Sequence, residues 1–470
     1  MARRARSIHF VGIGGIGMSG LAEILLRLGH SVSGSDVKDS ETVARLRSLG
    51  ARISVGHARE NVDHADVVVY SSAVPSSNPE LTTARTRKIP VIPRAEMLAE
   101  LMRLKDGIAV AGSHGKTTTT SLLGSVLAHS RMNPTIVVGG KLNRWGSTGL
   151  LGDSELLVAE ADESDGSFLL LRPVVAVVTN IDPEHLDAYG GSLEALDEAF
   201  VRFINSVPFH GAAVVCLDDP GVRRILPRIQ RPVCTYGTSP QADIQLCAVR
   251  FVGPQTEFEV GGLGCFTLNM LGRHNAMNAL AVVAVARDLG LSAEQIRRGL
   301  SAFEGVDRRF SVRGVVGDII VVDDYGHHPT EIRATLRGAR DAYPNRRIVV
   351  GFQPHRFTRT RDLLSQFGAC FDEAAFLGIA PIYAAGEEPL LGVDAERLAT
   401  EVRARGHKDC LSFASVTELE NALVERSRAG DLVLLLGAGD IYHSSHTLLR
   451  RLGCDVRDRN DVSTATTSEG

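Results

Sequence analysis

Ala109-Val-Ala-Gly112-Ser-His-Gly115-Lys116-Thr117-Thr-Thr-Thr120 is the stretch that decides how the chain is read. The short apolar run at 108–111 has the character of a buried strand, and 121–128 has that of an apolar helix. Between them lies a glycine loop ending in Lys-Thr, which is the order a phosphate cradle needs. Glycines let backbone N–H groups converge on an anion, the helix N-terminus adds its dipole, Lys116 brings a point charge and Thr117 a hydroxyl for Mg²⁺. The usual Walker loop has four residues between its glycines, whereas here there are two, Ser113 and His114, so the assignment needs support from the rest of the chain. A plain strand-to-helix turn with a surface lysine is the alternative, and the flanking patterns argue against it.

Downstream, strand patterns at 135–139, 156–160, 174–179 and 211–217 alternate with helix patterns, which predicts a largely parallel sheet. Two of these strands end in polar groups: Glu160-Ala-Asp162-Glu163-Ser-Asp165, and Asn180-Ile-Asp-Pro-Glu-His185. Four carboxylates within six residues repel one another unless a cation or solvent intervenes, and Mg²⁺ beside a triphosphate is the economical partner. The alternative is a solvated acidic loop. His185 alone reads equally as a core residue or a ligand. Residues 270–289 read as a long helix with Asn275 and Asn278 on one face, either capping and packing or reading a base through their amides.

Upstream, a strand at 8–11 runs into Gly12-Ile-Gly14-Gly15-Ile-Gly17, followed by a helix pattern to Arg27 and a second strand ending in Asp36. This is the dinucleotide-binding fingerprint, which specifies a diphosphate on a helix N-terminus rather than a particular nucleotide. Asp36 suits a ribose hydroxyl or the cap of the next helix equally well. A strand at 65–73 ends in a polar edge containing Ser71. A third unit holds a strand through Asp323-Asp324-Tyr325-Gly-His327-His328-Pro329, a strand at 346–352 leading to Gln353-Pro-His355-Arg356-Phe-Thr-Arg359, and a strand at 431–436 before Gly437-Ala-Gly439-Asp440. The cationic groups after residue 352 read as an anion site.

The 470 residues suit about three domains at roughly 150 residues each. A formal charge of −4 argues against nucleic acid as a partner, and no run approaches the ~20 apolar residues of a membrane span. The seven cysteines form no C-x-x-C pair and suit a reducing cytosol, so the expected compartment is cytoplasmic. Arg3, Arg4 and Arg6 precede a run too short and glycine-broken for a signal peptide. The polar stretch 455–470 reads as disordered.

Gly112-Ser-His-Gly-Lys-Thr117, Glu160-Ala-Asp-Glu-Ser-Asp165, Asp323-Asp-Tyr-Gly-His-His-Pro-Thr-Glu331, Gln353-Pro-His-Arg356 and Leu436-Gly-Ala-Gly-Asp-Ile441 together resemble the Mur ligases, the ATP-dependent amide-bond enzymes of peptidoglycan synthesis. The resemblance covers nearly the whole chain and includes the shortened loop. It implies an α/β protein of three domains. A Rossmann-like domain at 1–106 would bind the UDP-sugar, a central P-loop ATPase-type parallel-sheet domain at 107–311 would bind ATP, and a Rossmann-like α/β domain at 312–454 would bring the amino acid and close over the nucleotide. It implies three substrates, UDP-N-acetylmuramate, L-alanine and ATP, with two Mg²⁺ ions. Gly112, Ser113, His114, Gly115, Lys116, Thr117 and Thr118 would cradle the phosphates, with Thr117 and Glu160 on one Mg²⁺ and His185 on the second. Asn275, beside Arg273 and His274, would hold the adenine side, and Arg308, Asp324 and Tyr325 would line the nucleotide. His327, Arg356 and Arg359 would face the alanine and muramoyl carboxylates. Gly14, Gly15, Gly17, Asp36, Ser71 and Arg94 would hold the UDP-sugar. Several family members bridge their metals with a carbamylated lysine, and this sequence has no lysine between Lys141 and Lys408 to serve.

Three other readings compete. A recycling ligase would add a murein tripeptide to the same sugar. A nicotinamide oxidoreductase would use the first glycine fingerprint but leave Lys116, Glu160 and His185 idle. A catalytically silent nucleotide-binding regulator would not need both metal-side motifs. Oligomeric state, monomer or homodimer, is not legible in the sequence.

Overall fold

The computed structural model describes residues 7–139 and 147–453, so the stretch 455–470, the N-terminal arginines and Lys141 lie outside the described residues. The chain forms two compact units. One takes in the chain up to residue 249 with 257–269 and 275–306; the other takes in 307 onward with two short segments, 250–256 and 270–274.

The first unit carries two sheets. Strands β1 (Ser7–Val11), β2 (Ser31–Asp36), β3 (Arg52–Val55), β4 (Val67–Tyr70) and β5 (Val91–Pro93) form a five-stranded sheet in the order β3-β2-β1-β4-β5. Every pairing in it is parallel. The order reverses between β1 and β4, and at such a switch point the loops leaving the strand ends part to form a crevice. The glycine loop after β1 and Ser71 after β4 stand there.

The second sheet contains β6 (Asp106–Ala111), β7 (Thr135–Val137), β8 (Gly149–Leu150), β9 (Leu156–Glu160), β10 (Val175–Val178), β11 (Ala212–Cys216) and β12 (Val233–Gly237), and it continues into β13 (Ile244–Val252), β14 (Gln255–Val260) and β15 (Gly264–Leu268). Its order is β15-β14-β13-β12-β11-β10-β6-β9-β7-β8. From β12 to β7 all neighbours run parallel. The central strand β6 is the earliest in the chain and lies between β9 and β10, so this sheet's switch point is at the end of β6. The loop 112–115 leaves from that point. The helix Lys116–His129 that follows is buried along most of its length, and one apolar core runs through both sheets of this unit.

The second unit holds a six-stranded sheet: β16 (Ser311–Val316), β17 (Ile319–Asp324), β18 (Arg347–Phe352), β19 (Phe376–Ile379), β20 (Cys410–Ser412) and β21 (Asp431–Leu436), ordered β16-β17-β21-β18-β19-β20. Only the edge strand β16 is antiparallel. Separate apolar clusters cover its two faces, which is why β17, β18 and β21 read as nearly continuous hydrophobic runs. In register, Asp324 and Phe352 both flank Leu436, so the loops that follow β17, β18 and β21 leave from one edge.

The helix expected from residue 270 begins instead at Arg273. Gly272 has φ +101°, outside the helical region, so the chain turns there first.

Candidate active site

The loop after β6 is shaped by two glycines in conformations that L side chains rarely adopt. Gly112 has φ +128°, and a Cβ there would lie 2.2 Å from Thr179 Oγ1 and 2.9 Å from the Asn180 carbonyl oxygen. Gly115 has φ +83°, and a Cβ there would meet Asn278 Oδ1 at 2.5 Å. The end of β10 clamps the two residues between them. Asn180 Oδ1 accepts from the His114 N–H at 2.8 Å, the Thr179 hydroxyl and the Asn180 amide donate to the His114 carbonyl, and the Asp182 N–H donates to Ser113 Oγ at 2.9 Å. His114 Nε2 lies 3.0 Å from Asp182 and 2.8 Å from Glu184. Thr118 is buried in the helix, and Asn275 and Asn278 are buried and bonded to each other at 3.2 Å.

Lys116 folds back over its own loop. Its ammonium donates to the Gly112 carbonyl at 2.7 Å and to both carboxylate oxygens of Glu163 at 2.8 and 2.9 Å. Burial works against its charge, but the carboxylates of Glu163, Asp162 and Glu160 outweigh this and hold the ammonium above the usual lysine range. Burial likewise pushes the Glu160 carboxyl up, offset only in part by the Gly139 N–H at 2.7 Å and the Thr117 hydroxyl. Asp162, although buried, is held low by Lys116 and by bonds from Ser164. One ammonium thus faces three carboxylates. Hard oxygen donors beside a hydroxyl suit a hard divalent cation, whose charge would offset the cost of burying the Glu160 carboxylate, so Thr117 and Glu160 fit one. His185 follows β10 at φ +55°, with Nε2 3.9 Å from Glu184.

A cavity of about 180 Å³ opens beside this cluster, lined by Gly17, Arg94, Val137, Val138, Gly139, Glu160 and Asp162. It joins the glycine loop of the first sheet to the acid end of the second. Arg94 lies across Gly17, where a Cβ would meet its side chain at 3.1 Å. The Asp36 carboxylate accepts from the Gly14 N–H at 2.8 Å, so it braces the glycine loop, a role that neither sequence reading of this residue named.

In the second unit, Asp324 is buried and accepts from the N–H groups of Phe310 and Gly326, each at 2.8 Å. The Arg308 guanidinium lies 5.0 Å from the Tyr325 ring centroid and 4.4 Å from that of Tyr442. His327 Nδ1 lies 3.0 Å from the Tyr325 carbonyl; because a carbonyl can only accept, that nitrogen carries the proton and Nε2 is left as the basic one. Burial lowers His327 and His355 to about 4 each, so both are neutral at pH 7. Their rings are 5.7 Å apart, and His355 stacks on Tyr383. Arg356 is exposed and holds φ +71°, a strained conformation of the kind that persists where surrounding structure imposes it. Arg359 sits in the short helix Phe357–Asp362. Gln353 lies in a motif quoted from the sequence but was given no role there; its amide donates to Asp440 at 2.8 Å while its oxygen accepts from the Ile441 N–H, tying the loops after β18 and β21 together. Gly437 and Gly439, where a Cβ would collide with Gln353, were the available signal.

A glycine loop at a parallel-sheet switch point, carrying a lysine against an acidic strand end, defines a P-loop α/β protein. This chain belongs to the Mur ligase family. Models of the family's catalytic domain, middle domain and glutamate ligase domain match residues 7–106, 110–286 and 308–439. It is 55% identical to the UDP-N-acetylmuramate–L-alanine ligase of Trichlorobacter lovleyi over 95% of this chain and 98% of that one. It is 54% identical to the protein of the same name from Geobacter sulfurreducens, over 96% and 99%. Among solved structures it resembles a UDP-N-acetylmuramate–alanine ligase, MurC, of Thermotoga maritima, with TM-score 0.82, 30% identity, and 96% and 100% of the two chains covered. It also resembles a murein peptide ligase of Psychrobacter arcticus, with TM-score 0.70, 25% identity, and 95% and 99% covered.

Proposed function

We propose that this protein is an ATP-dependent ligase that joins L-alanine to the muramoyl carboxylate of UDP-N-acetylmuramate, releasing ADP and phosphate. The observation that carries the chemistry is Lys116, held at the switch point against an acid cluster that opens onto the cavity shared with the N-terminal glycine loop. The relatives at 55% identity support alanine as the amino acid, whereas the tripeptide reading rests on likenesses at 25% and 29%.

A carboxylate is a poor electrophile, so it must be activated first. A muramoyl carboxylate oxygen attacks the γ-phosphorus of ATP, ADP leaves, and an acyl phosphate forms. The neutral amine of alanine attacks the acyl carbon, and phosphate departs with the oxygen that came from the carboxylate. Lys116 and the loop N–H groups offset the phosphate charge that would otherwise repel the incoming carboxylate. Mg²⁺ held by Thr117 and Glu160, with a second ion at His185, would add charge neutralisation. Gly14, Gly15, Gly17, Ser71 and Arg94 would bind the UDP-sugar, with Asp36 bracing their loop. Asn275, Arg308, Asp324 and Tyr325 would serve the nucleotide, and His327, Arg356 and Arg359 the carboxylates. We assign these tasks to domains at 1–106, 107–311 and 312–454. The cytoplasm, where ATP and UDP-sugars are available, is the compartment this chemistry requires; among the described residues no helix is long and apolar enough to cross a membrane.

The test is phosphate release with ATP, Mg²⁺ and UDP-N-acetylmuramate while amino acids are added one at a time. L-Alanine should come first, with glycine and L-serine weaker by roughly 10–200-fold in kcat/KM, since one methyl or hydroxyl is all that separates them. A murein tripeptide that outperforms alanine would overturn the assignment.

A further inference from the structure

Lys116 is required by the proposed function to meet a phosphate, yet its three N–H donors are already taken. Gly112 O, Glu163 Oε1 and Glu163 Oε2 all lie within 2.9 Å of Nζ, and Ser113 O is at 3.3 Å. Glu163 is 2% exposed, so it has no solvent to turn into without moving its own segment. That segment is held through the Glu163 carbonyl, which accepts from the Tyr189 hydroxyl and, at 3.0 Å, from the Gly166 N–H, so drawing the carboxylate off Lys116 has to shift the turn that carries these two bonds. Glu163 therefore presents to the ammonium two anionic oxygens in the geometry in which a phosphate would present its own. A carboxylate and a phosphate cannot both crowd one ammonium without like-charge repulsion.

We propose that Glu163 is a positioning residue that stands in for a nucleotide phosphate, keeping Lys116 aligned over its loop and being displaced when the phosphates bind. This rests on the reading of 112–117 as the ATP loop. Two consequences follow that a purely structural ion pair would not produce together. Removing the Glu163 charge lowers the stability of the protein without nucleotide, and it tightens nucleotide binding because no anion has to be displaced.

The experiment is calorimetric titration of the full chain with a non-hydrolysable ATP analogue at fixed Mg²⁺, with melting temperatures recorded with and without analogue. For Glu163→Gln, which keeps the shape and removes the charge, the expected result is binding tighter by about tenfold, a lower melting temperature alone and a larger shift on adding analogue. Glu163→Asp withdraws the carboxylate by one methylene and should give an intermediate gain; it decides the matter alone if the glutamine variant does not fold. Unchanged or weaker binding in the variant measured overturns the proposal. Lys116→Ala separates this from failure of the underlying reading. If it abolishes analogue binding while Glu163→Gln changes nothing, the loop assignment stands and the stand-in role falls. If Lys116→Ala binds the analogue as the wild type does, the loop assignment itself is wrong.

Discussion

Gly112→Ala places one methyl group at the most constrained point of the loop. At φ +128° an L residue is strained by roughly 1–3 kcal/mol. The added Cβ would also stand 2.2 Å from Thr179 Oγ1 and about 3 Å from backbone atoms of Asn180, contacts that neither β10 nor the loop can relieve without moving. Overpacking of this kind costs about 1–3 kcal/mol more. The sum, about 2–6 kcal/mol, can be met by destabilising the domain or by shifting the loop. At roughly 2–4 °C per kcal/mol for a domain of this size, the first route lowers the melting temperature by at least about 4 °C. The second leaves the melting temperature nearer wild type but weakens binding of an ATP analogue, because the His114 backbone loses its bonds to Thr179 and Asn180. Melting curves and calorimetric titration with the analogue read both routes. UDP-N-acetylmuramate affinity serves as the internal control, since the glycine loop of the first sheet is untouched. A Gly112→Ala protein with wild-type melting and wild-type analogue binding would refute the reasoning.

Burial alone would raise the Glu80 carboxyl, but the His9 ring 3.7 Å away and the bonds from Ser35 and Asn61 outweigh it and bring it down to about 2. A depressed folded value means the stabilisation is full above the unfolded value of 4.5 and is lost as pH falls toward 2, an effect of about 3 kcal/mol. Glu80→Gln should therefore be less stable than wild type at pH 7 and converge with it near pH 2; a constant gap in urea unfolding across that range would contradict this. Glu160→Ala should raise the Mg²⁺ concentration needed for half-maximal phosphate release, and an unchanged Mg²⁺ titration would make Glu160 structural. Arg359→Ala should raise KM for alanine by roughly 10–100-fold, the loss of one charge-assisted contact of about 1.5–3 kcal/mol, with little change in KM for ATP. Equal effects on both constants would remove Arg359 from the amino-acid site.

Features that depend on neighbours in sequence were legible in it. The strand, glycine loop and helix around Lys116 form one continuous signal, and so does the turn from β1 through Gly17. The three α/β sheets follow from strands and helices that alternate along the chain. What escaped was set by strand neighbours. The pairing of Lys116 with Glu163 depends on β9 lying beside β6 with Glu160 opposite Val110, a register that no local pattern encodes. Gln353 joins Asp440 and Ile441 only because β18 and β21 are adjacent. β13 was missed for another reason: it alternates poorly between buried and exposed positions, so it lacks the period that marks a half-buried strand, whereas β14 does alternate, burying Thr256, Phe258 and Val260, and was legible.

The central claim is that the muramoyl carboxylate is phosphorylated before alanine attacks, and the fate of its oxygen tests this most directly. UDP-N-acetylmuramate carrying ¹⁸O in both carboxylate oxygens, turned over with ATP, Mg²⁺ and L-alanine, should yield inorganic phosphate with one ¹⁸O per molecule and an amide retaining the other. Phosphate free of label, with the oxygen lost from the carboxylate recovered in water instead, would contradict the acyl-phosphate account.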